Sequence, residues 1–300
     1  MARKRDIIIG VIIACSFLIA FGFFSLMMAG LFSAGNGISI SGFSGNVGVI
    51  ELFGVISDAS AAPVIKQIDK WASSGSIKAI VLHVNSPGGA VAPSQEIYDA
   101  VLRAREQKPV VASMASVAAS GGYYVACAAD RIIANPGTLT GSIGVILQFH
   151  TFEVLLRKIG LETETVKSGE LKDVGTYSRD MTEEEELMLR GVVMDTYEQF
   201  VEAVAEGRSK TKDEIYPLAD GSIFTGLQAY NLGLVDTLGG LHEAVNLAAA
   251  LAGVEGEPTI VRPIERRKMD IWDVLGGLAE KLDNTVEEQV SGPQLLFLYK

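Results

Sequence analysis

Two hydrophobic patterns divide this chain. From Ile7 to Ile50 no Asp, Glu, Lys, Arg or His occurs, and residues 7–32 are almost continuously apolar. A bilayer's hydrocarbon core needs about 20 residues at about 1.5 Å each, so this run is long enough to span it. Arg3, Lys4 and Arg5 precede the run and no basic residue follows it closely. The positive-inside rule therefore predicts a cytoplasmic N-terminus and an external remainder. A cleaved signal peptide would show a shorter apolar region and a clear small-x-small site. Ile12-Ile13-Ala14-Cys15 loosely resembles a lipoprotein cleavage box, yet residues 16–24 stay strongly apolar. An uncleaved anchor over residues 1–32 is the preferred reading. Residues 33–46, rich in Gly, Ser and Asn, read as a flexible linker.

Beyond residue 46 the pattern changes to short apolar runs alternating with helical periodicity. Residues 47–52, 79–84, 110–114 and 131–134 have strand character, and 79–84 is of the fully buried type. Between them, residues 62–73 carry Val64, Ile65, Ile68 and Trp71 at helical spacing, and 94–106 carry Ile97, Ala100, Val101 and Ala104. Residues 120–129 read as a third helix. This alternation predicts an α/β fold with a mainly parallel sheet. Thr182 begins a long helix, with Glu185 three residues on completing a capping box. The acidic run 183–186 then lies where the helix dipole favours negative charge, which predicts a solvated helix start rather than a metal site. Val193, Tyr197, Phe200 and Val204 form a packing stripe on the same helix. A shorter amphipathic helix follows Gly240, and another is expected over 269–290. The globular domain is thus placed at 47–290, followed by an apolar tail over 291–300.

Composition narrows the function. Hydrophobic residues make up 48 % of the chain, ample for a core, and the net charge is −11. Such an acidic protein lacks the basic patch that nucleic-acid binding needs, and its outer domain suits anionic lipids poorly. Cys15 lies in the anchor and Cys127 on an expected helix, so no intrachain disulfide is predicted.

The candidate chemistry sits at two glycine-rich strand-to-helix junctions. The first reads Leu82-His83-Val84-Asn85-Ser86-Pro87-Gly88-Gly89 and the second Ala118-Ala119-Ser120-Gly121-Gly122-Tyr123-Tyr124. Glycine lets a backbone approach closely, so each junction can aim bare N–H groups at one spot. A hydroxyl beside such donors is what acyl transfer requires. Ser120 could instead be an ordinary N-cap serine, but that leaves both Gly-Gly pairs unexplained. The hydroxyl needs a base. His83 falls mid-strand, His150 follows a strand-like stretch at 144–147, His242 falls inside a late helix, and none has an evident acid partner. Lysine is the alternative. The ordinary lysine pKa is about 10.4, and bringing an amine to about 7 takes roughly 4 to 5 kcal/mol, normally through desolvation. A lysine base must therefore be buried in the assembled site. Spacing alone does not separate Lys167 from Lys172. In extended chain, Lys172 and Asp173 would point to opposite sides.

The motifs Asn85-Ser86-Pro87-Gly88-Gly89, Ala119-Ser120-Gly121-Gly122-Tyr123-Tyr124 and Thr140-Gly141-Ser142-Ile143-Gly144-Val145 resemble those of the signal peptide peptidase A family. So do Lys172-Asp173, Arg179-Asp180-Met181-Thr182 and Asp220-Gly221-Ser222-Ile223-Phe224-Thr225-Gly226. The resemblance covers about residues 47–250, in a short single-repeat form. It implies the fold of the Clp protease subunit and the crotonases, built of ββα units, and a membrane-anchored Ser-Lys protease. It assigns Ser120 as nucleophile, Lys172 as general base and Ser142 as the group orienting the amine. N–H groups of Gly121 and of Gly88 or Gly89 would form the oxyanion hole. No metal or nucleotide is implied. The expected substrates are remnant signal peptides, and the expected partner is a second copy of the chain, with Ser120 and Lys172 supplied by neighbouring protomers. The tail could lie in the substrate groove or pack on a neighbour. A crotonase-type acyl-CoA enzyme and an inactive scaffold are the alternatives, disfavoured by the external location and by the joint presence of Ser120, Ser142 and Lys172.

Overall fold

A computed structural model describes residues 46–263. The expected anchor, the linker, the helix over 269–290 and the apolar tail lie outside the described residues. Among the described residues no helix is long and apolar enough to cross a membrane. In chain order the elements are β1 (Val47–Phe53), α1 (Asp58–Ala72), β2 (Ala79–Ser86), α2 (Val91–Arg105), β3 (Val110–Ala119), α3 (Gly121–Cys127), β4 (Arg131–Ala134) and β5 (Leu139–Gly141). There follow α4 (Glu153–Lys158), a 3-10 turn (Glu170–Asp173), α5 (Glu183–Arg208), α6 (Lys212–Ile215), a second 3-10 turn (Tyr216–Leu218), β6 (Ile223–Thr225), α7 (Gly226–Asn231), β7 (Thr237–Leu238), α8 (Leu241–Leu251) and β8 (Ile260–Val261).

The strands form one sheet in the order β6-β5-β3-β2-β1-β8, with β4 and β7 branching from β3. Every pairing is parallel except β5 with β6. This is the mainly parallel α/β architecture that the alternating pattern predicts. The branch in β3 matters most for the site. Its first half, Val111 to Met114, pairs with β4, and its last three residues, Val117 to Ala119, pair with β5. One strand therefore delivers its C-terminus directly beside another chain segment.

Alternate strand residues point to opposite faces, and each face has its own core. Ile50, Leu52, Ile80, Leu82, Val84 and Met114 pack with α1, α2, α3 and α5. Val47, Val49, Val81, Val111 and Ile133 pack against Ala244, Val245, Ala248 and Ala249 of α8. Each large aliphatic side chain fully buried in this way contributes about 1.5–3 kcal/mol. Gly48 is required in β1 because a Cβ there would meet the Trp71 ring of α1 at 2.3 Å.

Several boundaries differ from the expected ones for identifiable reasons. Helix α2 begins at Val91 rather than residue 94, because Pro93 is tolerated in a first turn. Ser94 is consequently not a cap; its hydroxyl donates to the Ala90 carbonyl one turn back, at 2.8 Å. β3 runs five residues beyond the expected Met114, through small residues without a marked alternation. The strand-like stretch 144–147 has no regular structure. Helix α5 matches its sequence signal, with Thr182 as N-cap and a complete capping box to Glu185.

Candidate active site

β3 ends at Ala119 and α3 starts at Gly121, so Ser120 forms the whole turn between strand and helix. Its backbone sits at φ 52°, ψ −122°, a region non-glycine residues rarely adopt and which costs about 1–3 kcal/mol. Three contacts hold it there. Its N–H donates to the Gly141 carbonyl at 2.9 Å, its carbonyl accepts from Tyr124 N–H at 2.9 Å, and the buried Tyr123 hydroxyl donates to the Leu234 carbonyl at 2.9 Å. The Ser120 side chain makes no capping hydrogen bond. Ser120 thus occupies the cap position without its hydroxyl serving as a cap, so the N-cap explanation does not account for it. A strand, one strained residue and a helix in immediate succession resembles the backbone arrangement of a nucleophile elbow.

The Pro-Gly-Gly loop packs directly against this turn. A Cβ on Gly121 would lie 3.3 Å from both Gly88 Cα and Gly89 N, and a Cβ on Gly88 would meet Gly121 N at 2.6 Å. The loop is pinned from its other side by Ile56, whose N–H donates to the Gly88 carbonyl and whose carbonyl accepts from Ala90 N–H, both at 2.9 Å. A Cβ on Gly89 would strike the Ile56 carbonyl at 2.1 Å. The two glycines are not equivalent as donors. Gly88 N–H already donates to Ser86 Oγ at 3.1 Å. The N–H groups of Gly89 and Gly121 have no backbone or side-chain acceptor among the described residues. Ser86, fully buried at the end of β2, thus distinguishes the pair, a role the sequence did not reveal.

Ser142 follows from register. Ala119 of β3 pairs with Gly141 of β5, so the next residues along each strand, Ser120 and Ser142, emerge side by side. Ser142 also has a positive φ, 51°, and its N–H donates to the Ser222 carbonyl at 2.7 Å. Buried Thr140 fastens β5 to β3 through its hydroxyl, 2.7 Å from the Ala118 carbonyl. Neither Ser120 nor Ser142 has a side-chain hydrogen bond to a described residue.

Lys172 is not hydrogen-bonded to these groups. It lies in the 3-10 turn Glu170–Asp173, so the extended-chain separation from Asp173 does not apply, and it is exposed, with no hydrogen bond to Ser120 or Ser142 within the chain. Lys167 has a different environment: its amine donates to Asp173 Oδ1 and to the Glu170 carbonyl, both at 2.8 Å. The two lysines that spacing could not separate are therefore distinct, one tied into its own loop and the other unengaged. Arg179 also holds Asp173, through Nη2 at 2.8 Å and Nε at 3.3 Å. Arg179 bridges onward to both oxygens of Glu185, the first-turn glutamate of α5. Hydrogen bonds from Arg179 and Lys167 pull the Asp173 carboxyl down to about 2, and those from Arg179 and the Thr182 N–H pull Glu185 down to about 2. Glu183, Glu184 and Glu186 are exposed, as a solvated helix start predicts, whereas Glu185 is only 1 % exposed and departs from it.

The histidines occupy other places. His83 is half-buried on β2 with Nδ1 at 3.2 Å from the Ser113 carbonyl, His242 lies beside Asn246 on α8, and His150 is exposed. Among the described residues no cluster of His, Cys, Asp and Glu suits a metal ion. Cys127 is buried within α3, where desolvation pushes its thiol up to about 12.

Comparison with known proteins finds two matching family models and several similar chains. The model of peptidase family S49 matches residues 103–255 and that of Clp protease matches residues 39–138. A protease candidate from Synechocystis sp. is 40 % identical over 228 residues, covering 76 % of this chain and 82 % of that one. A signal peptide peptidase SppA candidate from Enterococcus faecium is 38 % identical over 183 residues, covering 61 % and 53 %. The chloroplastic serine protease SPPA of Arabidopsis thaliana is 34 % identical over 225 residues, 74 % of this chain but 33 % of that one.

Proposed function

The chain belongs to peptidase family S49, and from that premise we propose that it is a membrane-anchored serine endopeptidase acting through Ser120 and Lys172. The observation that carries this reading is the Ser120 hydroxyl, unengaged on a strained turn beside the free N–H groups of Gly89 and Gly121. In the proposed reaction Lys172 takes the Ser120 proton and the alkoxide attacks the peptide carbonyl. The tetrahedral oxyanion is stabilised by Gly89 and Gly121 N–H, an interaction worth about 10²–10³ in rate per donor. Lys172 returns the proton to the leaving amine, and water then hydrolyses the acyl-enzyme by the same route. Ser142, beside Ser120 in register, accepts a hydrogen bond from the Lys172 amine and orients it.

Lys172 is exposed in the single chain, whereas a lysine base needs a dry setting. This supports a homo-oligomer in which a neighbour's Lys172 is buried against Ser120. The apolar run over 7–32 supports anchoring with the catalytic domain outside the cytoplasm. The name of the Enterococcus relative supports cleaved signal peptides and similar apolar peptides as substrates.

The test is labelling with a fluorophosphonate together with cleavage of an apolar peptide. Wild type and Lys167→Ala should label and cleave, the latter within about tenfold, a limit set by loss of an ion pair and not of the base. Ser120→Ala and Lys172→Ala should do neither. Cleavage by Ser120→Ala would reject the nucleophile. Coenzyme A binding without labelling would favour a crotonase-type acyl-CoA enzyme.

A further inference from the structure

From residue 144 to the start of α5 the chain has almost no hydrophobic interior. Ile146 is 87 % exposed and Val166 96 %, and α4 buries none of its residues. Yet this segment carries Lys172, whose amine has to be placed within hydrogen-bonding distance of a hydroxyl for the proposed reaction. The feature that ties its end together is a set of charges around the buried Glu185. Arg179 joins Asp173, the residue after Lys172, to Glu185, which is fixed in the first turn of α5 by accepting the Thr182 N–H at 2.9 Å. Arg179 also donates to the Asp180 carbonyl at 3.0 Å, and the Asp180 N–H donates to Glu153 of α4 at 3.2 Å.

We infer that Arg179 is a positioning residue for Lys172: by clamping Asp173 to Glu185 it fixes the turn that carries the amine and keeps the adjacent carboxylate away from it. The inference rests on Lys172 being the general base, as proposed above. The first half is geometric. Arg179 presents a planar fork with five donors, and here the fork meets two carboxylates and a carbonyl, which defines its orientation far better than a lysine could. The second half is electrostatic. A carboxylate one residue from an amine favours the charged amine when free to reach it, and a charged amine cannot take a proton. Asp173 is instead occupied by Arg179 and Lys167. The charged groups facing this cluster are Lys167 just before the turn, Glu170 from the turn, Glu185 from α5 and Glu153 from α4, the last paired with Arg157.

The experiment compares Arg179→Gln, Arg179→Lys, Asp173→Asn and the double variant Asp173→Asn/Arg179→Gln in the full-length enzyme. Fluorophosphonate labelling rate and peptide kcat and KM are followed from pH 5 to pH 10, with thermal melting as the fold control. Arg179→Gln is expected to lower kcat at neutral pH by at least tenfold with KM nearly unchanged. Its rising pH limb should move to higher pH by about one unit, because Asp173, then held by Lys167 alone, is freer to favour the charged amine. Arg179→Lys should recover part of kcat. The double variant should return the limb to its wild-type position while kcat stays low, which separates the electrostatic role from the geometric one. A wild-type pH profile in Arg179→Gln, or a shift that Asp173→Asn leaves in place, overturns the inference. Lys172→Ala is the companion control: its retained activity would reject the base assignment itself, whereas an inactive Lys172→Ala with a wild-type Arg179→Gln rejects the clamp alone.

Discussion

The Ser120 turn and the Lys172 arm are built on opposite principles. Around Ser120 the backbone is fixed by short hydrogen bonds, by glycines with no room for a Cβ and by fully buried neighbours such as Tyr123 and Ser86. Around Lys172 the chain exposes large apolar side chains, and its order comes from an ion-pair network of Lys167, Asp173, Arg179 and Glu185. An oxyanion hole must be rigid before substrate arrives, because donors that have to reorganise lose their advantage at the transition state. A lysine base must be desolvated, which an isolated arm cannot achieve. On the proposed reading, one chain contains a finished nucleophile half and an unfinished base half, and a neighbour completes the second. The exposed apolar residues of the arm, Ile146 and Val166 among them, are the surface that the proposed neighbour would cover.

The comparison can be broken most severely at its rigid end. Gly88→Ala forces a Cβ to 2.6 Å from Gly121 N at φ +98°. Fluorophosphonate labelling should fall by about 10² or more, the scale of a lost oxyanion donor, with circular dichroism unchanged. The matching change in the arm, Gly169→Ala, meets no atom within 4 Å and has an extended backbone, so labelling should stay within about twofold. Equal tolerance at both glycines would contradict the contrast. A smaller effect is expected from Tyr123→Phe, which removes the hydroxyl that anchors α3 to the Leu234 carbonyl. The buried carbonyl left behind costs about 1–3 kcal/mol, read as a lower urea midpoint with the fold intact. The smallest effect is in acid. Asp173 and Glu185 are held at about 2, below their ordinary 3.8 and 4.5. Depressed carboxylates contribute stability that is complete above the ordinary values and is lost as pH falls through the folded ones. Hydrogen exchange should therefore show the arm loosening between about pH 4.5 and 2 before the Ser120 turn does. Simultaneous loosening would show that charge does not distinguish the two regions.

The same contrast sets how much could be read from sequence. Strands, helices and the parallel sheet were legible wherever apolar periodicity governs, as in β2 and α5. Ser120, Gly121 and the Pro-Gly-Gly loop were legible because glycine pairs at strand-to-helix junctions have few other uses. The extension of β3 to Ala119 was not, since Ala115, Ala118 and Ala119 show no alternation; β5 fixes it through pairing. Which glycine keeps a free N–H depended on Ser86 Oγ, a contact between residues two apart that follows from the local turn and not from composition. The burial of Glu185 was hidden because a glutamate three residues after Thr182 already has a sufficient local explanation in the capping box. Its bond to Arg179 is set by the path of an irregular loop, and no periodicity encodes that path. The choice between Lys167 and Lys172 failed on spacing for the same reason.

The central claim, that one chain supplies a complete nucleophile half and needs a neighbour's base half, is tested most directly by mixing. Ser120→Ala and Lys172→Ala chains, each inactive alone, are co-assembled in equal amounts, with differently tagged copies confirming mixed particles. Random assembly places an intact Ser120 opposite an intact Lys172 at about a quarter of the sites, so peptidase activity and labelling should recover to about a quarter of wild type. Mixed particles that remain inactive would mean that Ser120 and Lys172 must come from the same chain, and the division of the site between a finished and an unfinished half would be wrong.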